Sequence, residues 1–328
     1  MQSLKELQLQ PCESPWWAWN GHLQTLGGHF IPSPQISPDG EKLEVPLPDG
    51  DRLFCLCYPG TSSLVISLYH GLSGDLNADY IQRAALLYQK MGHTVVLVNH
   101  RGVGEGAAYS RNSYHSGRGE DISAILMALR QKYPGKKQIT VGFSMSGNIV
   151  LTLLAGLRGV EKPDGAITVN AAINLAESSR LLSQGFNRIY DLRFVARLRE
   201  EIQAKYHLGL ITKLYQIPRF SSVYDLDQIY TAEAGGFRDR DDYYASCSTY
   251  LHLSEVQTPT YMLTSADDPF ILVKSYQEAR LSSVISLHVE KVGGHLGYLS
   301  RRRTPLGSHR WLDYYLHESL RGLEALWL

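Results

Sequence analysis

Apolar residues in this chain fall into two alternating rhythms: short β-branched runs closed by glycine-bearing loops, and longer stretches with helical spacing. The runs Leu64 to Tyr69, Thr94 to Val98, Gln138 to Val141 and Gly165 to Asn170 predict strands, with helices near Asp79 to Met91 and Glu120 to Tyr133 between them. Such alternation is the mark of a mostly parallel sheet, and right-handed crossovers would put helices on both of its faces. Glu41 to Val45 and Arg52 to Tyr58, split by Pro48-Asp49-Gly50-Asp51, predict an antiparallel hairpin leading into it. Two later runs, one from Thr258 into an acidic turn and one from Ile285 to Val292, bring the expected sheet to eight strands.

After Asn174 the alternation stops. Residues 175–249 are rich in Arg, Tyr, Leu and Glu at helical spacing, with no convincing buried strand; Phe186 to His207, Leu210 to Gln216 and Asp225 to Ala234 are expected helices. The expected organisation is therefore a core of residues 1–174 and 250–328, with a helical cap of residues 175–249 inserted after the sixth core strand. Gly235-Gly236-Phe237 would be a joint within that cap. A cap over the strands' C-terminal edge would exclude water and shape a pocket.

The densest chemical signal is Gly142-Phe143-Ser144-Met145-Ser146-Gly147, between the run ending at Val141 and the apolar stretch Asn148 to Leu154. A serine among small residues at a strand-to-helix corner stands exposed above the sheet, the form of a nucleophile elbow. A bare Gly/Ser turn would look similar, so position decides. In the chain order serine, acid, histidine, two further strand ends follow. One carries Asp267-Asp268-Pro269, the other Gly293-Gly294-His295-Leu296-Gly297. Open parallel sheets hold their ligand groups at such ends. Ser144 is then the nucleophile and His295 the acid and base. Asp268 is preferred over Asp267 as the orienting carboxylate because it directly precedes Pro269 and an expected helix near Phe270. A neutral serine hydroxyl attacks poorly, so the imidazole must take its proton, and the carboxylate holds the ring in the required tautomer. Backbone N–H groups of Leu72, in the loop His70-Gly71-Leu72-Ser73-Gly74, and of Met145 are the expected oxyanion donors. Asn99-His100-Arg101-Gly102-Val103-Gly104-Glu105-Gly106 has the wrong glycine spacing for a dinucleotide fingerprint and reads as a loop near the pocket, with Arg101 structural.

Together with Gly21-His22-Leu23-Gln24-Thr25, these segments make the chain resemble the YheT-like branch of the α/β-hydrolase superfamily, over nearly its whole length from Trp19 to Tyr298. The resemblance implies an α/β-hydrolase fold and hydrolysis of carboxylic esters, with some members linked to acyl-chain lipids or to ethyl ester synthesis. It departs from the family at two places. Ser146 stands where the elbow usually has glycine, which would strain or reopen the turn; Ser73 stands where an acidic residue is usual. The expected activity is a serine carboxylic ester hydrolase working through an acyl-enzyme on a small acyl ester. Acyl transfer to an alcohol, or thioester hydrolysis, on the same triad and a non-catalytic binding protein of the same fold are the alternatives.

Composition refines this. The 328 residues carry 32 Lys+Arg against 32 Asp+Glu, which argues against nucleic acid as a partner. Arg301-Arg302-Arg303 reads as a solvated loop. Cys12, Cys55, Cys57 and Cys247 form neither a disulfide framework nor a metal-ligand cluster, so no metal or organic cofactor is expected and a reducing, cytoplasmic setting is. No stretch reaches the roughly 20 apolar residues of a membrane span. Three tryptophans in Pro15-Trp16-Trp17-Ala18-Trp19-Asn20 are expected to pack on the core or cap, with weak interfacial contact the second reading. His22 is expected to make a structural hydrogen bond.

Overall fold

The computed structural model describes residues 4–327. The elements run α1 (Gly21–Phe30), β1 (Glu41–Pro46), β2 (Arg52–Tyr58), β3 (Leu64–Tyr69), α2 (Asp79–Lys90), β4 (Thr94–Asn99), α3 (Gly119–Lys132), β5 (Lys137–Phe143), α4 (Met145–Leu154) and β6 (Gly165–Val169). Then come α5 (Leu175–Leu182), α6 (Arg188–His207), α7 (Val223–Leu226), α8 (Ala232–Ala234), α9 (Arg240–Cys247), β7 (Thr260–Ser265), α10 (Val273–Glu278), β8 (Ile285–Glu290) and α11 (Trp311–Glu324).

The strands form one eight-stranded sheet in the order β1-β2-β4-β3-β5-β6-β7-β8. The β1–β2 and β2–β4 pairs are antiparallel, and every other pair is parallel. Gly50, at φ +89°, makes the hairpin turn that an L side chain would resist. The two-residue period of a strand splits the apolar runs between the sheet's two faces. Ile66 and Leu68 of β3 join Ile139, Val141, Ile81, Tyr88 and Leu316 on the side of α2 and α11. Val65 and Tyr69 join Val96, Ile122, Ile125 and Ile149 on the side of α3 and α4. Leu68 is fully buried, and truncating such a leucine to alanine costs ~2–5 kcal/mol.

Between β6 and β7 the described chain is helical or irregular. Here α7 runs through a π-helical turn, Asp227–Thr231, into α8. Two expectations need correcting. Leu210 to Gln216 is not a helix: α6 ends at His207, Gly209 takes φ +69°, and the chain then runs irregularly toward Pro218, whose ring disfavours helix before it. Nor do the tryptophans all pack: Ala18 takes the buried position, while Trp16 is 88% and Trp19 70% exposed. No helix among the described residues is long and apolar enough to cross a membrane.

The loops that matter for chemistry leave the C-terminal ends of β3, β4, β5, β6, β7 and β8. They carry His70–Gly74, His100, Ser144, Asn170, Asp268 and His295 to one edge of the sheet.

Candidate active site

Ser144 joins β5 to α4 with φ +54° and ψ −121°, a backbone conformation that side chains other than glycine avoid. Its N–H is held by Val169 O at 2.8 Å, and its carbonyl accepts from Gly147 N at 2.9 Å. The corner is tight because its glycines leave no room: a Cβ on Gly142 would lie 2.5 Å from Ser146 O, and one on Gly147 2.7 Å from Ala171 Cβ. Ser146, in the place of the usual elbow glycine, has not reopened the turn. It sits inside the first turn of α4, fully buried, and Ser144 rather than Ser146 carries the positive φ.

His295 Nε2 lies 2.8 Å from Ser144 Oγ, and His295 Nδ1 lies 2.8 Å from Asp268 Oδ2. The Asp268 carboxylate also accepts from Asn170 Nδ2 at 2.5 Å and from the N–H groups of Phe270 at 2.9 Å and Ile271 at 3.0 Å. That turn occupies the residues after Pro269, so α10 begins only at Val273 instead of near Phe270. The neighbouring Asp267 faces elsewhere: its Oδ1 accepts from Gly294 N at 2.8 Å, and burial pushes its carboxyl above the ordinary range. The ring of Phe270 lies 4.4 Å from that of His295, covering the imidazole on one side.

Opposite the serine, the loop after β3 passes so close that a Cβ on Gly71 would lie 3.1 Å from Ser144 Cβ. Within this loop Gly71 N–H donates to Tyr80 Oη at 2.9 Å and Ser73 N–H to Tyr114 Oη at 3.1 Å, while Gly74 N–H donates to Gly71 O at 3.1 Å. Among the described residues the Leu72 N–H has no such partner. Met145 is the first residue of α4, where an N–H has no partner within its helix.

A model of the alpha/beta hydrolase fold matches residues 65–302. The chain belongs to this family. YheT of Escherichia coli K12 is 29% identical to it over 304 residues, which is 90% of this chain and 88% of that protein. Mouse phospholipase ABHD3 is 25% identical over 297 residues, 86% of this chain and 72% of that protein. Among solved structures, the Pyrococcus furiosus esterase Pf2001 shares the fold with a TM-score of 0.57 at 14% identity, over 89% of this chain and 96% of that one. The protein is thus an α/β hydrolase.

In this hydrolase Ser144 and His295 open into a cleft of about 510 Å³. Its lining is mostly apolar, with Leu72, Leu175, Leu182, Ile189, Phe194 and Phe270 among its walls. Further groups support the site, Asn170 and Tyr298 with no local sequence signal and Gln24 and Thr25 from the Gly21-His22-Leu23-Gln24-Thr25 segment. Asn170, at φ +47°, donates to Asp268 and to Gly294 O at 3.3 Å, and its Oδ1 accepts from the buried Tyr298 hydroxyl at 2.8 Å. Thr25 Oγ1 accepts from His295 N at 2.8 Å and donates to Gly21 O at 2.7 Å. Gln24 pairs with the backbone of Leu299 through both ends of its amide, at 2.7 and 3.0 Å. The α1 motif therefore buttresses the histidine loop. His22 on the same helix faces α6, with Nδ1 3.3 Å from Tyr190 Oη. Arg101 lies away from the cleft, buried in contact with Asp121, Asp51 and Asp49.

Proposed function

We propose that this α/β hydrolase is a serine carboxylic ester hydrolase with Ser144 as nucleophile, His295 as acid and base and Asp268 as the orienting carboxylate. The observation that carries the proposal is the unbroken hydrogen-bonded line Ser144 Oγ, His295 Nε2, His295 Nδ1, Asp268 Oδ2, both links at 2.8 Å, at the floor of an apolar cleft. As Oγ attacks the ester carbonyl carbon, its proton moves to His295 Nε2. The imidazolium that forms is held by the Asp268 side chain. Negative charge collects on the former carbonyl oxygen, where the N–H groups of Leu72 and Met145 receive it; losing one such donor costs ~3–4 kcal/mol of barrier stabilisation. Collapse breaks the bond to the alcohol, which leaves with the proton from His295. Water, deprotonated by the same nitrogen, then attacks the acyl-enzyme, and the carboxylic acid departs as Ser144 regains its proton.

The substrate reading follows from the walls. A pocket within the usual ~300–1,000 Å³ of ligand sites, lined by leucine, isoleucine and phenylalanine, suits an aliphatic acyl chain. Residues 175–249 act as a cap domain: α5, α6 and α7 contribute Leu175, Leu182, Phe194 and Val223 to that lining. The relatives that bear esterase and phospholipase names support ester hydrolysis as the class of reaction. The test is turnover of a graded series of p-nitrophenyl acyl esters, with Ser144→Ala as control and product analysis in the presence of an alcohol. Expected is hydrolysis that the control loses by ~10⁴–10⁶-fold. Equal turnover by the control refutes the proposal, and no turnover by folded protein favours a binding protein of the same fold.

A further inference from the structure

We infer that the Ser146 hydroxyl, acting with the His100 ring, positions the two oxyanion donors relative to each other; the inference rests on the serine-hydrolase reading above. Ser146 lies in the first turn of α4, the helix whose first N–H is that of Met145, and is fully buried. Its Oγ bridges to the opposite loop: the hydroxyl donates to His70 O and lies 2.6 Å from His100 Nε2. His100 Nε2 is also 3.1 Å from His70 O, and His100 N–H donates to His70 Nε2 at 3.3 Å. His70 Nδ1 lies 2.9 Å from Gly71 O.

One arrangement of protons satisfies all of these contacts. His70 Nε2 accepts, so its proton is on Nδ1 and goes to Gly71 O. Ser146 gives its proton to His70 O, so its oxygen accepts from His100 Nε2–H. Both rings are then neutral, and burial favours that state, pushing His70 well below the ordinary histidine range and His100 down to about 4. The carbonyls of both His70 and Gly71 are thereby fixed, immediately before Leu72. From the other side Tyr80 and Tyr114 take the N–H groups of Gly71 and Ser73. Among the described residues, what remains without a partner between these ties is the Leu72 N–H.

Among the described residues Ser146 is thus the one side chain of α4 that hydrogen-bonds the helix presenting Met145 N–H to the loop presenting Leu72 N–H and to the His100 ring beside it. The distance between those donors decides how well they fit a tetrahedral oxyanion, and errors of an ångström are costly there. Removing the hydroxyl leaves His100 Nε2–H still within reach of His70 O. The loop therefore loses a strut without exposing an unpaired buried group. Ser146 is a positioning residue: it touches no substrate atom.

The test compares wild type, Ser146→Ala, Ser146→Cys and Ser144→Ala, using one short-chain ester and an alkyl trifluoromethyl ketone, whose adduct places an oxyanion between the same donors. For Ser146→Ala kcat should fall ~10-fold, less than the 10²–10³-fold cost of deleting a donor, because the donor is displaced and not lost. KM should stay within about twofold and the ketone's Ki should rise by the factor that kcat/KM loses, since the oxyanion exists only in the transition state. Ser146→Cys should fall between. His100→Phe, which keeps the stacking on Tyr114, should give the same split, and adding it to Ser146→Ala should cost no more than either alone, as expected of groups in one chain. A change in Tm or KM with kcat and ketone affinity unmoved overturns the inference. Ser144→Ala separates the two levels: if it abolishes turnover while Ser146→Ala matches wild type, only the inference fails, and if it retains turnover, the serine-hydrolase reading fails as well.

Discussion

Replacing Asp268 by asparagine keeps the side chain's shape and changes what it can accept. The carboxylate takes four hydrogen bonds, from His295 and Asn170 on Oδ2 and from the N–H groups of Phe270 and Ile271 on Oδ1. An asparagine oxygen can keep the two backbone donors, but its NH2 group then meets His295 Nδ1 and Asn170 Nδ2. For that NH2 to donate to Nδ1, the imidazole proton must sit on Nε2, the nitrogen that has to accept from Ser144. A tautomer trapped in this way costs ~10⁴ in kcat, about 5.4 kcal/mol at 1.36 kcal/mol per tenfold. Asp267 provides the internal comparison. It accepts one backbone hydrogen bond, from Gly294 at 2.8 Å, and an asparagine oxygen can still accept it. At about 1 kcal/mol for such a bond, Asp267→Asn should cost no more than about tenfold. The assay is kcat/KM on a short-chain ester for both variants, with Tm checked for each. A loss at Asp267 equal to or greater than that at Asp268 would refute the assignment.

Other outcomes can be stated more briefly. Thr25→Val removes the acceptor that holds His295 N–H and should lower kcat ~10-fold, measured with Tm unchanged within a few degrees; wild-type turnover would mean that α1 does not fix the imidazole. Ser144→Gly should remove activity yet raise stability by up to about 1 kcal/mol in urea unfolding, because backbone strain of roughly 1–3 kcal/mol is relieved against the entropy glycine adds to the unfolded chain. Asp227, buried against the Tyr244 hydroxyl at 2.7 Å, has its carboxyl pushed up to about 6 by desolvation. A raised carboxyl means that the folded state holds its proton where the unfolded chain has lost it, so this residue subtracts stability as pH rises from about 4 through 6. Asp227→Asn should therefore gain little Tm over wild type near pH 4.5 and more at pH 7.5; a gain independent of pH would contradict the sign.

The architecture was legible because its signals are local. β-branched runs, the hairpin Pro48-Asp49-Gly50-Asp51 and the break in alternation after Asn174 each declare themselves over a few residues. That Ser144, Asp268 and His295 would meet was legible for a related reason: each sits just past a strand, at the edge of the sheet where their side chains come together. Asn170 and Tyr298 were not, since each acts through contacts with segments far off in the chain, and an asparagine ending a strand looks like any turn residue. Ser146 was visible only as a departure. That its hydroxyl would find His70 O and His100 depends on β3, β4 and β5 lying side by side, an order that the sequence does not spell out. Leu210 to Gln216 misled because leucine and lysine at helical spacing outweighed Gly209 and Pro218 at its ends.

The central claim, that Ser144 is an activated nucleophile, is tested most directly by intact-protein and peptide mass spectrometry after treatment with a fluorophosphonate. A single adduct on the peptide containing Ser144 is predicted, slowed sharply in His295→Ala and absent in Ser144→Ala. A folded protein that takes no label, or takes it at another residue while Ser144 stays free, would contradict the account.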